Sequence, residues 1–198
     1  MLDEQRNELE NRQSKYISIG ISEGGTYCVG GIPVPWETTA NAFNMKIPDV
    51  FIAPEDLGDR ALMEKITSFT VLGCYIFTRL DDYGFIAGFT KVRDIYILDG
   101  VNVRDLSFLS SLKDWHLLHI KSAHLKDLSP VYEASLLARW VPGICLSFTD
   151  CTVDDISALY SVELIDELII AGKDDDNERE RWRTVPALTY MYYTLRPR

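Results

Sequence analysis

Apolar residues along this chain recur in a fixed rhythm. Asp105-Leu106-Ser107 and Asp127-Leu128-Ser129 lie 22 residues apart, and Asp155-Ile156-Ser157 follows 28 further on. Upstream, Asp82 sits 23 before Asp105, and Asp59 sits 23 before Asp82. The apolar positions travel with these aspartates. Leu62, Phe85 and Phe108 align, as do Met63, Ile86 and Leu109, then Ile66, Phe89 and Leu112, then Phe69, Val92 and Trp115. Each series leads into a pair spaced by two: Leu72/Cys74, Ile95/Ile97 and Leu118/Ile120. The frame extends back to Val50/Ile52, after Ile47, and forward to Leu146/Phe148, Leu168/Ile170 and Leu188/Tyr190.

A fixed period of this length is the mark of a repeat architecture. The pairs spaced by two predict a short strand per unit, with both members on one side. Residues after each aspartate predict a short helix or 3-10 turn, with the carboxylate accepting a backbone N–H of its first turn. Stacked carboxylates about 5 Å apart would repel, so this capping role explains the aspartates better than a cation ladder does. One unit cannot bury its own apolar residues. Stacked neighbours form a continuous core, and each large side chain contributes about 1.5–3 kcal/mol. The expected fold class is an α/β repeat of about seven turns, with a unit of 22–23 residues. The longer spacing after Asp127 is expected to be taken up by a helix within Val131–Val141, containing Leu136, Leu137 and Trp140.

The pattern resembles the leucine-rich-repeat family, in particular the bacterial 22-residue kind found in internalins. Leu112-x-x-Trp115-x-x-Leu118-x-Ile120, then Leu125 and Asp127-Leu128-Ser129-Pro130, carry the resemblance over roughly residues 45–195. The family's usual Asn after the strand is replaced by Ala123 and Cys151, and by Phe77 or Gly100 in the longer turns. The chain therefore departs from the family's Asn ladder. The resemblance implies a solenoid with a parallel β-sheet on its concave face and short helices or 3-10 turns on its convex face. It carries no enzymatic residues, because the family is a binding scaffold.

The ends differ from the middle. Residues 1–15 read as a polar helix or tail. Tyr16–Ile21 alternates and is followed by Gly24-Gly25 and Thr26–Val29, which predicts a β-hairpin. Residues 1–45 are thus expected to be a tail and capping hairpin, and residues 46–198 the repeat array. Near the other end, Lys173–Arg183 is a mixed charge run, expected to be a solvated loop or short helix.

Side chains between the inward pairs project from the exposed face of the predicted sheet. In the expected register the first row is Asp49, Val71, Asp94, Leu117, Cys145, Glu167 and Thr189. The central row is Phe51, Gly73, Tyr96, His119, Ser147, Ile169 and Met191, and the third is Ala53, Tyr75, Leu98, Lys121, Thr149, Ala171 and Tyr193. Outward aromatic and apolar residues tend to mark interaction sites. Tyr75, Tyr96, Leu98, Leu117, His119, Lys121 and Ile169 are therefore the candidate partner-binding residues.

Charge and composition narrow the partner. A net charge of −10 repels phosphate backbones, which speaks against nucleic acid. No apolar run reaches the roughly 20 residues that span a bilayer. The polar, acidic start, read as native, places the chain in the cytoplasm. Cys28, Cys74, Cys145 and Cys151 form no C-x-x-C pair and are expected to be reduced. His116, His119 and His124 crowd together, but His116 and His119 are expected on opposite sides of a strand, and no metal is expected. A Cys145–His119 pair lacks an oxyanion hole and an orienting residue, and Gly24-Gly25 and Gly30-Gly31 lack the lysine of a phosphate loop. The expectation is a non-enzymatic, cofactor-free protein that binds a protein partner, as an adaptor or immunity-type component. The alternative is a structural or self-associating repeat protein, with a homodimer left open.

Overall fold

The computed structural model describes residues 16–23, 50–137, 143–172, 176–186 and 188–195. Among the described residues eight strands form one parallel sheet: β1 (Tyr16–Ile21), β2 (Val50–Ile52), β3 (Thr70–Ile76), β4 (Asp94–Ile97), β5 (Leu117–Lys121), β7 (Ile144–Thr149), β9 (Ile165–Gly172) and β10 (Leu188–Leu195). Their order across the sheet is β10-β9-β7-β5-β4-β3-β1-β2. Two further short strands, β6 (His124–Asp127) and β8 (Thr152–Asp155), pair in parallel as a second small sheet.

Behind the main sheet lie the backs of the units. These are α1 (Arg60–Thr67), α2 (Ser129–Ser135) and 3-10 turns at Pro54–Gly58, Gly84–Gly88, Ser107–Ser111 and Ser157–Ser161. Successive backs pack on one another, the second turn on the third, the third on α2, and α2 on the last. Ile95, Ile97, Leu118, Ile120, Leu146, Phe148, Leu168 and Ile170 point from the strands into one core. Ile86, Leu109, Leu112, Trp115, Leu128, Val131 and Leu159 meet them from the backs. This is an α/β repeat in which no unit holds a core of its own.

The recurrent aspartates do what their spacing predicts. Asp82, Asp105, Asp127 and Asp155 each accept the backbone N–H two residues on, from Gly84, Ser107, Ser129 and Ser157, at 2.8–2.9 Å. Asp59 caps α1 directly, accepting the Leu62 N–H at 3.1 Å. Hydrogen bonds from Ser107 hold the Asp105 carboxyl below its ordinary range, and those from Ser157 do the same for Asp155. Replacing Asp105 by Ala is expected to cost about 1 kcal/mol, as for other cap residues. Chemical denaturation of Asp105→Ala against the parent checks it, and an unchanged midpoint would reduce the aspartate to a surface residue.

Corners after the strands repeat as well. Gly100, Ser122 and Asp150 donate their N–H groups to the carbonyls of Lys121, Thr149 and Ala171, each on the next strand. Ser122 and Asp150 adopt left-handed backbone, at φ 65° and 53°, which turns the chain from β5 into β6 and from β7 into β8. The sequence shows no sign of this second small sheet.

Four expectations are corrected by the structure. Tyr16–Ile21 is a strand, but not the arm of a capping hairpin. At Ile19–Ile21 one edge pairs in parallel with β2 and the other with β3, which leaves no edge for an antiparallel arm. Alternation in Ile17, Ile19 and Ile21 specifies a strand and says nothing about its partner. The sheet therefore draws on both sides of the expected division at residues 45/46. Residues 26–29, the expected second arm, lie outside the described residues.

Second, Cys74 and Ile76, not Leu72 and Cys74, stand beside Ile95 and Ile97. From Gly73 onward the slip is two residues, so the face is kept and only the neighbour changes, whereas Val71, expected in the outer first row, lies in the core before a bulge at Leu72. Third, Met191 and Tyr193, not Leu188 and Tyr190, stand beside Leu168 and Ile170. An odd slip exchanges the two sets of positions, and this strand's run of apolar and Tyr residues has no alternation to oppose it. Fourth, α2 stops at Ser135, so Leu136 and Leu137 follow it and are exposed, while Trp140 lies outside the described residues.

The charge run holds a helix, α3 (Asp176–Arg183), and it is only partly solvated. Trp182 is buried and stacks on Phe148 with ring centroids 5.8 Å apart. Arg181 donates to the carbonyls of Val153 and Asp154 at 2.7 and 2.6 Å, closing an edge of β8.

Candidate functional site

The outer face of the main sheet, opposite the core, carries three rows fixed by strand register. The central row runs Phe51, Gly20, Tyr75, Tyr96, His119, Ser147 and Ile169. Beside it lie Gly73, Asp94, Leu117, Cys145 and Glu167 on one flank. Leu98, Lys121, Thr149 and Ala171 lie on the other. All seven candidate residues share this face. Tyr75 moves from the expected third row to the central one, because of the two-residue shift in β3.

That shift builds an aromatic stack. The Tyr75 and Tyr96 rings are 5.1 Å apart and nearly parallel, and Tyr96 and the His119 imidazole are 5.6 Å apart with a tilt of 37°. Stacked rings at such separations attract beyond their burial. Tyr75 lies down on its own strand because Gly73 has no side chain. A Cβ there would come within 2.6 Å of the Tyr75 ring and 2.9 Å of the Ser18 hydroxyl. Phe51 and Phe77 stack at 6.2 Å and join Tyr75, Tyr96 and Leu98 in a second apolar cluster on this face.

Two candidates are not surface contacts. Tyr75 is 1% exposed and His119 4%, so they support the face from within. Tyr96, Leu98, Leu117, Lys121 and Ile169 are partly exposed and form what a partner could touch.

No family model and no curated protein sequence matches this chain. Among solved structures it is similar to internalin C2 from Listeria monocytogenes, with 15% identity over 78% of this chain and 90% of that one and a TM-score of 0.36.

Three groups of the face, His119, Tyr96 and Cys145, are neutral near pH 7. Burial, helped by the Lys121 charge, pushes His119 down to about 4, so its ring is uncharged near neutral pH. Its Nδ1 shares a 2.8 Å hydrogen bond with the Ser147 hydroxyl. Burial first, then Asp94, Cys145 and Glu167, pushes the Tyr96 hydroxyl up to about 12. Cys145 rises to about 11 by burial and by Glu167, Asp166 and Asp94, which keeps the thiol protonated and a poor nucleophile.

The Cys145–His119 pair does not assemble. Cys145 Sγ lies 3.7 Å from His116 Nε2 instead. His116 escapes strict alternation because the N–H groups of both His116 and Leu117 bond to the one Arg93 carbonyl, a bulge that re-aims the side chain. Among the described residues, no three His, Cys, Asp or Glu side chains gather as a metal site.

Sequence reasoning missed three contributors. Gly73 makes room for the Tyr75 ring, Ser147 holds His119, and Phe77 extends the apolar cluster. Gly73 and Ser147 stood in the predicted central row, but nothing in one sequence separates a glycine that accommodates a ring from one that merely turns.

Proposed function

We propose that this chain is a non-enzymatic protein-binding module whose contact surface is the outer face of the main sheet. One observation carries the reading. Tyr96, Leu98, Leu117 and Ile169 stay partly exposed on the side away from the core, over the buried and hydrogen-bonded His119. An exposed aromatic and aliphatic surface on a rigid sheet is disfavoured in water unless a partner covers it. Aromatic side chains are also enriched among the residues that dominate binding energy.

On this reading the array is a solenoid with its sheet on the concave side, working in the cytoplasm as an adaptor or immunity component. Tyr96, Leu98, Leu117, Lys121 and Ile169 make contact, and Tyr75 and His119 hold Tyr96 in place.

The test is affinity capture from source-cell lysate with a tagged chain, compared with Leu117→Arg and Ile169→Arg. Both positions are partly exposed, so the fold tolerates the change, and the captured partner is expected to be lost. A partner retained at full yield by both variants would exclude this face. A second reading, self-association through the same surface, is favoured by its apolar character. Light scattering decides between them: a dimer that Leu117→Arg converts to monomer supports self-association, and a monomer at high concentration rejects it.

A further inference from the structure

Two carboxylates on this face have no ion-pair partner among the described residues. They are Asp94 on β4 and Glu167 on β9, both partly buried. Elsewhere surface acids do find cations, as Asp99 does with Arg79 and Asp114 with Lys91. Between Asp94 and Glu167 in the same row lie Leu117 and Cys145, both uncharged. The row therefore reads acid, apolar, neutral, acid across four adjacent strands. With strands about 4.8 Å apart, the two carboxylates are about 14 Å from each other.

Resting on the reading above, we infer that the face takes a basic, extended segment of a protein partner laid across β4, β5, β7 and β9. One cationic side chain pairs with Asp94, an apolar side chain two residues on covers Leu117 and Cys145, and a second cation two residues further pairs with Glu167. Spacing selects the extended form. Side chains on one side of an extended chain recur about every 6.6 Å, so residues four apart span about 13 Å. A helix rises about 1.5 Å per residue, and positions about 14 Å apart, nine or ten residues, fall on different sides of it.

Charge sets the position along the strands. Lys121 is two residues past His119 on the same face and repels a cation placed over the third row. The basic segment is thereby confined to the row that holds Asp94 and Glu167. Tyr96 offers this segment its protonated hydroxyl and ring edge, because Tyr75 and His119 stand against its two faces.

The test is selection of displayed random nonapeptides on the full chain, followed by titration with one labelled probe, Ser-Gly-Arg-Ser-Leu-Ser-Arg-Gly-Ser. Enriched sequences are expected to carry Arg or Lys four residues apart around an apolar residue. The probe should bind about tenfold more weakly to Asp94→Asn and to Glu167→Gln, and more weakly still as salt rises. Enrichment of acidic or uncharged sequences, or unchanged affinity in both variants, overturns the inference. Selected peptides that lack the cation pair yet lose binding in Leu117→Arg would overturn only the basic chemistry and leave the face as the contact surface. Peptides that bind Leu117→Arg as well as the parent would remove both.

Discussion

Trp115→Ala is expected to lower the unfolding free energy by about 3–5 kcal/mol, the range for emptying the site of a large aromatic core residue. Trp115 is fully buried in the main core, which several units share. In a repeat array each unit is stabilised largely by the units beside it. A cavity in the middle therefore weakens two interfaces at once. The unfolding transition of the variant should broaden as well as shift.

Trp115→Phe separates shape from polarity. The indole N–H of Trp115 is buried and finds no acceptor among the described residues. A buried unsatisfied donor carries its desolvation cost, about 1–3 kcal/mol. Phe removes that donor while keeping most of the ring, so it should cost distinctly less than Ala. Urea denaturation followed by circular dichroism compares the three chains. Equal losses in Trp115→Phe and Trp115→Ala would show that the site reads the full indole and not apolar volume.

The second large effect is a loss of stability on mild acidification, traced to His119. Its folded value is pushed down from 6.5 to about 4, mainly by burial and secondarily by Lys121. Above the unfolded value the ring is neutral in both states and contributes no pH dependence. Between the two values the unfolded chain takes up a proton that the folded chain refuses, so stability falls as pH falls. Below the folded value the loss is complete, at roughly 3 kcal/mol.

Carboxylates act in a different window. Asp105 and Asp155 have folded values below 3.8, so their contribution is intact above that pH and declines only as pH falls further. Denaturation midpoints at pH 7 and pH 4.5 therefore isolate the imidazole. The parent should lose stability between them, and His119→Gln, which keeps a polar group facing Ser147, should lose far less. Equal losses in the two chains would place the acid sensitivity elsewhere.

Much of the architecture was legible because burial imposes a period. Ile95/Ile97, Leu118/Ile120, Leu146/Phe148 and Leu168/Ile170 stand in register, as their spacing requires. The five aspartates could be assigned to caps because a carboxylate before a tight turn has one nearby use. Outward positions followed from the inward ones, since strand side chains alternate. For β4, β5 and β9 the register puts Tyr96, His119, Leu117 and Ile169 on the one face that alternation predicts.

Failures came where local pattern leaves more than one solution. In β3 the residues at 72, 74 and 76 all suit the inward face, so the chain could slip by two without local penalty. Register there was set by contacts across the sheet. Those contacts include Tyr75 lying over Gly73 and stacking on Tyr96. Partly exposed candidates could not be told from buried ones either, because burial of Tyr75 and His119 depends on neighbours distant in the chain.

The periodic residues sufficed to establish a repeating unit, its strand and its capped turn, since each depends on contacts within a few residues or on a strict period. Strand order, the parallel insertion of Tyr16–Ile21 between Val50–Ile52 and Thr70–Ile76, and the aromatic stack on the outer face came only from assembly. Pairing partners and ring contacts are long-range and compete with near-equivalent alternatives, and only simultaneous packing of all strands selects among them.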